Sequence, residues 1–395
     1  MTRNTAQRNV LLLAASQALM LSAVVLAMTL AAILGALLAP DKALATLPVA
    51  AMVFGTALAS TPAALFMHRF GRRLGFFIGA GLGLAGSLVS AWGLQTHTFV
   101  TFVLGHLLIG AYQGFASYYR FAAIEAAGPG GASRAISRVV LAGVVAAFAG
   151  PQIAVWGRDW IVGFAFVGSY LAQALLSLLA LAMIGALRLP PIAGEPGGAT
   201  RPLREIVGQP ALRASVFGTA VGYAVMIMAM TATPLAMLGC GLNTTDVGPV
   251  IQWHVVGMFA PSIFTGALVS RYGAPRIMQI GFALMLGHVG VSVAGTQWLH
   301  FLSALTLLGV GWNFAFIGGT ALLTQTYRPS EQSKVQALNE SLIFGVVALA
   351  SLGAGWLYAR FGWSALNLAT APLLLLAWLA AIGIGRKQRT AAAPA

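Results

Sequence analysis

Carboxylates are scarce in this chain: eight Asp and Glu stand among 395 residues, against 22 Lys and Arg. Cysteine occurs once, at Cys240, which excludes an intrachain disulfide and any metal site built on several thiolates. Charged residues make up 8% of the sequence, where soluble domains carry about 25%. A conventional solvated surface is therefore excluded. The glycine-rich stretch GEPGGATR lacks the Lys-Ser/Thr that phosphate cradling requires, so it offers no ATP site. What fills the chain is apolar: 59% of its residues are hydrophobic.

A helical membrane span needs about 20 apolar residues. The apolar stretches thread as twelve spans, at 10–38, 44–66, 75–95, 98–124, 136–156, 160–187, 212–236, 247–269, 276–295, 299–325, 336–358 and 363–385. Threaded so, all Lys and Arg but Lys42, Arg158 and Arg360 fall on one side. Basic residues in short loops are held in the cytoplasm, which predicts a multi-pass protein of the bacterial cytoplasmic (inner) membrane with both termini inside. The net charge of +14 is then topological and faces anionic lipid head groups, which argues against nucleic acid as a partner. The apolar run from Asn9 to Ala39 is too long for a signal-peptide core and reads as an uncleaved first span.

The longest polar break, around Pro190, Pro191, Pro196, Gly197, Gly198 and Pro202, reads as a cytoplasmic linker over 188–211. It separates a six-helix bundle at 1–187 from a second at 212–395. The two halves repeat. AALFMHRFGRR, ending at Arg73, returns as GALVSRYGAPR, ending at Arg276. GVVAAFAG from Gly143 returns as GVVALASLG from Gly345, and LLIGAYQGF from Leu107 as LLGVGWNFA from Leu307. Six spans return each half to the same side, so the repeats are parallel, an arrangement found in transporters that hold solute near the midplane.

With these marks the whole chain resembles the major facilitator superfamily, whose fold is all-α, with twelve transmembrane helices in two pseudo-symmetric bundles. The family loop G-x-L-x-D-R-x-G-R-R is matched by Arg69, Gly71, Arg72 and Arg73, with Ala64 for the first Gly and His68 for the Asp. The second copy keeps Arg271 and Gly273 and places Ser270 at the Asp position. The resemblance implies that this loop helps lock the cytoplasmic side, and loss of the acid in both copies either removes such a lock or moves it to other partners. The arginines alternatively serve topology alone. Gly150-Pro151 resembles the core of the antiporter signature, while Gly110 stands where a coupling Arg is typical. The family also implies a small-molecule substrate, alternating access, no cofactor and a monomer.

Polar groups inside a span are costly and tend to mark a solute path. His106, Gly110, Gln113, Ser117 and Arg120 recur at helical spacing on the fourth span. The repeat sets Trp312 and Asn313 at the depth of Tyr112 and Gln113, a plausible clamp for a flat, hydrogen-bonding solute, or else helix–helix bonds with aromatic filling. Further candidates, each with helix–helix bonding as the competing role, are Gln17, Gln152, Tyr170, Gln173, Tyr223, Gln252 and His254; Glu340 either pairs with Arg134 or Arg138 as an inter-half latch or is a plain solvated charge. Gly79, Gly81, Gly83 and Gly86 read as close helix packing. No acid lies centrally in any span, which favours a neutral or anionic solute over a cation. Proton coupling would then run through a histidine, His106 first, with His254 and His288 behind it. His106 bonding a backbone carbonyl is the competing reading. A His106–Ser117 dyad is excluded, because eleven residues of helix hold the two about 16 Å apart. The expectation is a secondary transporter, by efflux or by uptake of an aromatic nutrient such as a vitamin, rather than an enzyme or a sensor.

Overall fold

The computed structural model describes residues 3–41, 44, 47–128, 131–189 and 201–392. The predicted linker residues Pro190, Pro191, Pro196, Gly197 and Gly198, and Lys42, lie outside them. Every regular element among the described residues is helical. The chain divides into two compact units, Met1–Gly194 with Gln336–Ala348, and Glu195–Val335 with Leu349–Ala395. The bundle boundaries expected from sequence, at 187 and 212, remain our proposal.

The first unit carries α1 (Arg3–Leu38), α2 (Leu47–Phe70), α3 (Arg72–Gln95), α4 (Phe99–Ala116), α5 (Tyr119–Ala127), α6 (Ala132–Leu141), α7 (Gly143–Trp156) and α8 (Val167–Gly185). The second begins with α9 (Leu203–Gly208), α10 (Pro210–Gly239), α11 (Thr244–Phe259), α12 (Ser262–Tyr272), α13 (Ala274–Ala294) and α14 (Trp298–Leu323). The last element, α15 (Gln332–Ala392), gives its Gln336–Ala348 stretch to the first unit and its remainder from Leu349 to the second.

Eleven helical stretches among the described residues are long and apolar enough to cross a membrane. The last runs Pro329–Arg386, 58 residues, which at 1.5 Å each is about 87 Å, far more than one bilayer core. Its helix breaks at Gly362, where φ is +77°, so it supplies two crossings. That is where the sequence sets the joint between the eleventh and twelfth spans. The fourth, fifth and eighth spans, expected as single helices, are each interrupted. At Pro261 the missing N–H ends α11 and opens α12. At Ser117 the hydroxyl bonds back to the Gly114 carbonyl at 2.8 Å, and the Tyr118 N–H reaches Phe115 O rather than continuing the α pattern.

Packing within each unit uses small residues. A Cβ added at Gly83 would meet the Tyr112 ring, and one at Gly86 would meet the Gly105 carbonyl oxygen at 2.7 Å. The third-span glycines thus set how closely α3 approaches α4, as their spacing suggests; Gly81 alone has open space there. The glycines of the repeated loop, Gly71 and Gly273, adopt φ of +92° and +84°. A side chain at either would be strained, so the two copies share a conformation as well as a pattern.

Candidate functional site

In the first unit the residues of the predicted polar stripe take separate roles. His106 is fully buried; its Nδ1 lies 2.9 Å from the Phe102 carbonyl, and its Nε2 lies 3.1 Å from the Tyr170 hydroxyl. A neutral imidazole satisfies both, donating from Nδ1 and accepting at Nε2. Gly110 lets α4 close on α2, because a Cβ there would run into the Met52 carbonyl. Gln113 is half-buried, with Oε1 accepting from the Thr56 hydroxyl at 3.3 Å. Tyr112 is buried in the seam between α3 and α4. Gln17 is half-buried and Gln152 is exposed. Gln173 is buried and donates to the Ala23 carbonyl at 2.8 Å, a bond between helices.

Arg120 does not stand open as a solute anchor. Its Nη2 donates to Glu340 Oε1 at 2.5 Å, the side chains being 8% and 1% exposed. Asn339 Nδ2 donates to the same oxygen at 2.6 Å. The expected partners of Glu340, Arg134 and Arg138, are corrected by this geometry: both are exposed on α6, while Arg120 is buried beside the carboxylate. Thr61 of α2 and Ser341, the residue after Glu340, meet through their hydroxyls.

The loop motif divides likewise. His68, Arg69 and Arg73 are exposed. Arg69 lies over the Phe70 ring, and Arg73 Nη2 donates to the Gly185 carbonyl at 2.5 Å. Arg72 is buried, paired with Glu125 at 2.6 Å and donating to Gln336 Oε1 at 2.9 Å. In the second copy, Ser270 bonds the Gly266 carbonyl of its own helix, and Arg271 lies over the Tyr272 ring. In the first copy the loop arginine Arg72 thus finds its carboxylate outside the loop, at Glu125 of α5. Spacing in the loop itself gave no sign of this partner.

In the second unit Asn313 is fully buried and fully engaged. Its Nδ2 donates to the Met258 carbonyl at 2.7 Å and to Ser262 Oγ at 2.6 Å, and its Oδ1 accepts from Thr265 at 2.8 Å. Both repeat-related amides therefore meet a threonine. The threonines fall at different distances from the Gly71 and Gly273 turns, which is why the repeat did not reveal them. Trp312 is 3% exposed and stacks on Phe316 at 4.6 Å and 12°. Tyr223 and Phe259 meet it edge-on at 5.3 and 6.0 Å. Phe259 and Phe316 were missed in sequence, where neither stands out among 21 phenylalanines. His254 is buried, with Nδ1 2.7 Å from the Leu305 carbonyl. His288 is also buried, between the Ala304 carbonyl and Asn367.

At the edge of this unit, Arg201 closes on Glu331 through Nη2 at 2.6 Å and Nε at 2.8 Å, and on the Thr326 carbonyl at 3.1 Å. The hydrogen bonds that its guanidinium donates to Glu331 hold Arg201 above its ordinary pKa. No group of three or more His, Cys, Asp or Glu able to hold a metal occurs among the described residues.

The family model described as Major Facilitator Superfamily matches residues 246–395. The chain is 41% identical over 374 residues to the riboflavin transporter RfnT of Brucella anthropi, covering 94% of each. It is 28% identical over 369 residues to the MFS-type transporter YddS of Bacillus subtilis, covering 87% of this chain and 84% of the relative. Among solved structures it superposes on the proton:xylose symporter XylE with a TM-score of 0.77 at 14% identity, covering 96% of this chain and 95% of the other. On the transporter FucP in its outward conformation the TM-score is 0.74 at 15% identity, with 94% and 97% covered.

Proposed function

The chain belongs to the major facilitator superfamily and is a membrane transporter of a small molecule, and from that premise we propose that it takes up riboflavin or a closely similar flat heteroaromatic. The observation that carries this reading is the 41% identity to a riboflavin transporter along nearly the full length of both chains. The site chemistry supports it. Riboflavin is neutral at pH 7, and the buried carboxylates are already matched: Glu340 by Arg120 and Glu331 by Arg201. Neither is left to bind a cation, which weighs against export of cationic drugs. The aromatic group around Trp312 suits a planar ring.

In the second unit we assign Trp312 and Tyr223 to solute contact, and in the first unit, taken by itself, Gln113. Asn313 and His106 have their polar side-chain atoms engaged within the protein, and Arg120 is held by its ion pair to Glu340, so we assign all three structural roles. We also propose that His68, Arg69, Arg73 and Arg271 hold the cytoplasmic surface, with both termini on that side, and that the protein works as a monomer by alternating access. Expression in a riboflavin-auxotrophic bacterium lacking its own importer tests the function. Growth on low external riboflavin and saturable uptake of labelled riboflavin are expected. Uptake no greater than with empty vector would refute it.

A further inference from the structure

The Trp312 indole is almost wholly buried, yet its Nε1–H has no hydrogen-bond partner among the described residues. Buried donors are rarely left so, because an unmet donor keeps its full desolvation penalty. Its surroundings explain why nothing internal meets it. Phe316 covers one face of the indole, and Tyr223 and Phe259 meet it edge-on at 86° and 82°. Aromatic rings offer an N–H at most a weak acceptor. Of the three rings around the indole, Tyr223 is the one that is only half-buried.

A second unmet atom lies on the same helix pair. His254 donates from Nδ1 to the Leu305 carbonyl, so its Nε2 carries a lone pair; that atom is buried and has no hydrogen-bond partner among the described residues. Leu305 precedes Trp312 by two turns of α14, about 10 Å along the axis. The α14 residue that anchors His254 and the α14 residue that carries the unmet donor thus lie two helical turns apart.

We infer that α10, α11 and α14 form an aromatic subsite in which the Trp312 indole N–H donates to a carbonyl or ring-nitrogen acceptor of a planar, fused-ring heteroaromatic ligand. This rests on the uptake reading above and deepens it. The His254 Nε2 receives a proton from a hydroxyl on the side chain of the same ligand. Riboflavin carries both kinds of group: acceptors on its fused ring and hydroxyl donors on its side chain. Within the Trp312–Asn313 pair the tryptophan reads the solute, because the hydrogen-bonding groups of Asn313 are already matched.

The test uses the full-length protein in nanodiscs with riboflavin as probe, followed by quenching of flavin fluorescence and by thermal melting. Two replacements at Trp312 are compared: Trp312→Phe, and incorporation of benzothienylalanine, in which sulfur takes the place of the N–H at nearly the same volume. Both should bind riboflavin about tenfold more weakly, as expected for one lost hydrogen bond. Without ligand, the benzothienyl protein should melt no lower than the parent, because it loses only an unmet donor. His254→Phe should weaken riboflavin binding and leave lumichrome, the fused ring without the hydroxyl chain, bound as before. Unchanged riboflavin affinity in both Trp312 replacements would overturn the subsite. So would a lower melting temperature of the unliganded benzothienyl protein, which would reveal an internal partner for the N–H. If riboflavin does not bind the parent protein, the vitamin reading falls, and the melting comparison still decides the subsite.

Discussion

Replacing Arg120 with Met would leave the Glu340 carboxylate, 1% exposed, without its cation. The pair sits at 2.5 Å with Asn339 donating to the same oxygen, so the geometry is that of a strong, desolvated ion pair. At an effective dielectric of 20, opposite charges about 4 Å apart attract by about 4 kcal/mol. Removing one partner of a buried pair costs about 3–5 kcal/mol for the same reason, because a charge remains buried without compensation. Glu340→Gln strands the guanidinium instead and should cost a similar amount. The double variant Arg120→Met, Glu340→Gln strands no charge and should recover most of the loss. At about 2 °C per kcal/mol, the low end for large domains, each single variant should melt about 6–10 °C below the parent, and the double variant within a few degrees of it. Differential scanning fluorimetry of the four purified proteins in one detergent completes the cycle. If the double variant loses as much as both single variants together, the two charges do not act on each other and the reasoning is wrong.

Three further outcomes follow from the same geometry. Asn313→Leu should destabilise the protein by about 2–4 kcal/mol, because it strands Met258, Ser262 and Thr265 partners, whereas Gln113→Ala should melt nearly as the parent and lower riboflavin uptake; equal melting losses would contradict the assignment. His106→Ala should cost about 2 kcal/mol or more by removing the acceptor of the buried Tyr170 hydroxyl, while the response of uptake to an imposed pH gradient stays as in the parent; loss of that response with unchanged melting would make His106 the proton carrier after all. Gly362→Ala should cost about 1–2 kcal/mol because φ is +77° there, and circular dichroism melts would show it; Gly345→Ala, whose added Cβ meets open space, serves as the control and should be neutral or better.

Much of the fold was legible because a bilayer imposes simple demands. Length and apolarity mark the spans, basic residues mark one side, and the recurrence of Gly71 as Gly273 marks the repeat. The site was less legible. Sequence could rank His106, Gln113 and Asn313 as polar atoms in an apolar span, yet hydrogen-bond satisfaction depends on which neighbouring helix faces them. Tyr170 closes off His106, and Thr265 with Ser262 closes off Asn313. Those partners lie 48 to 64 residues away and follow no repeat spacing. The partner of Glu340 was missed for a similar reason: several loop arginines were equally available by sequence, and burial decided among them.

The unequal fates of the repeated amides bear on how this carrier could be retuned. Gln113 is half-buried with one side-chain bond recorded, whereas Asn313 joins three helical segments. A duplicated ancestor would have given both positions the same latitude, and divergence has made one a keystone. A library aimed at new cargo should therefore diversify position 113 and its surroundings and hold 313 constant, since variants at 313 would be discarded for misfolding before their selectivity could be scored.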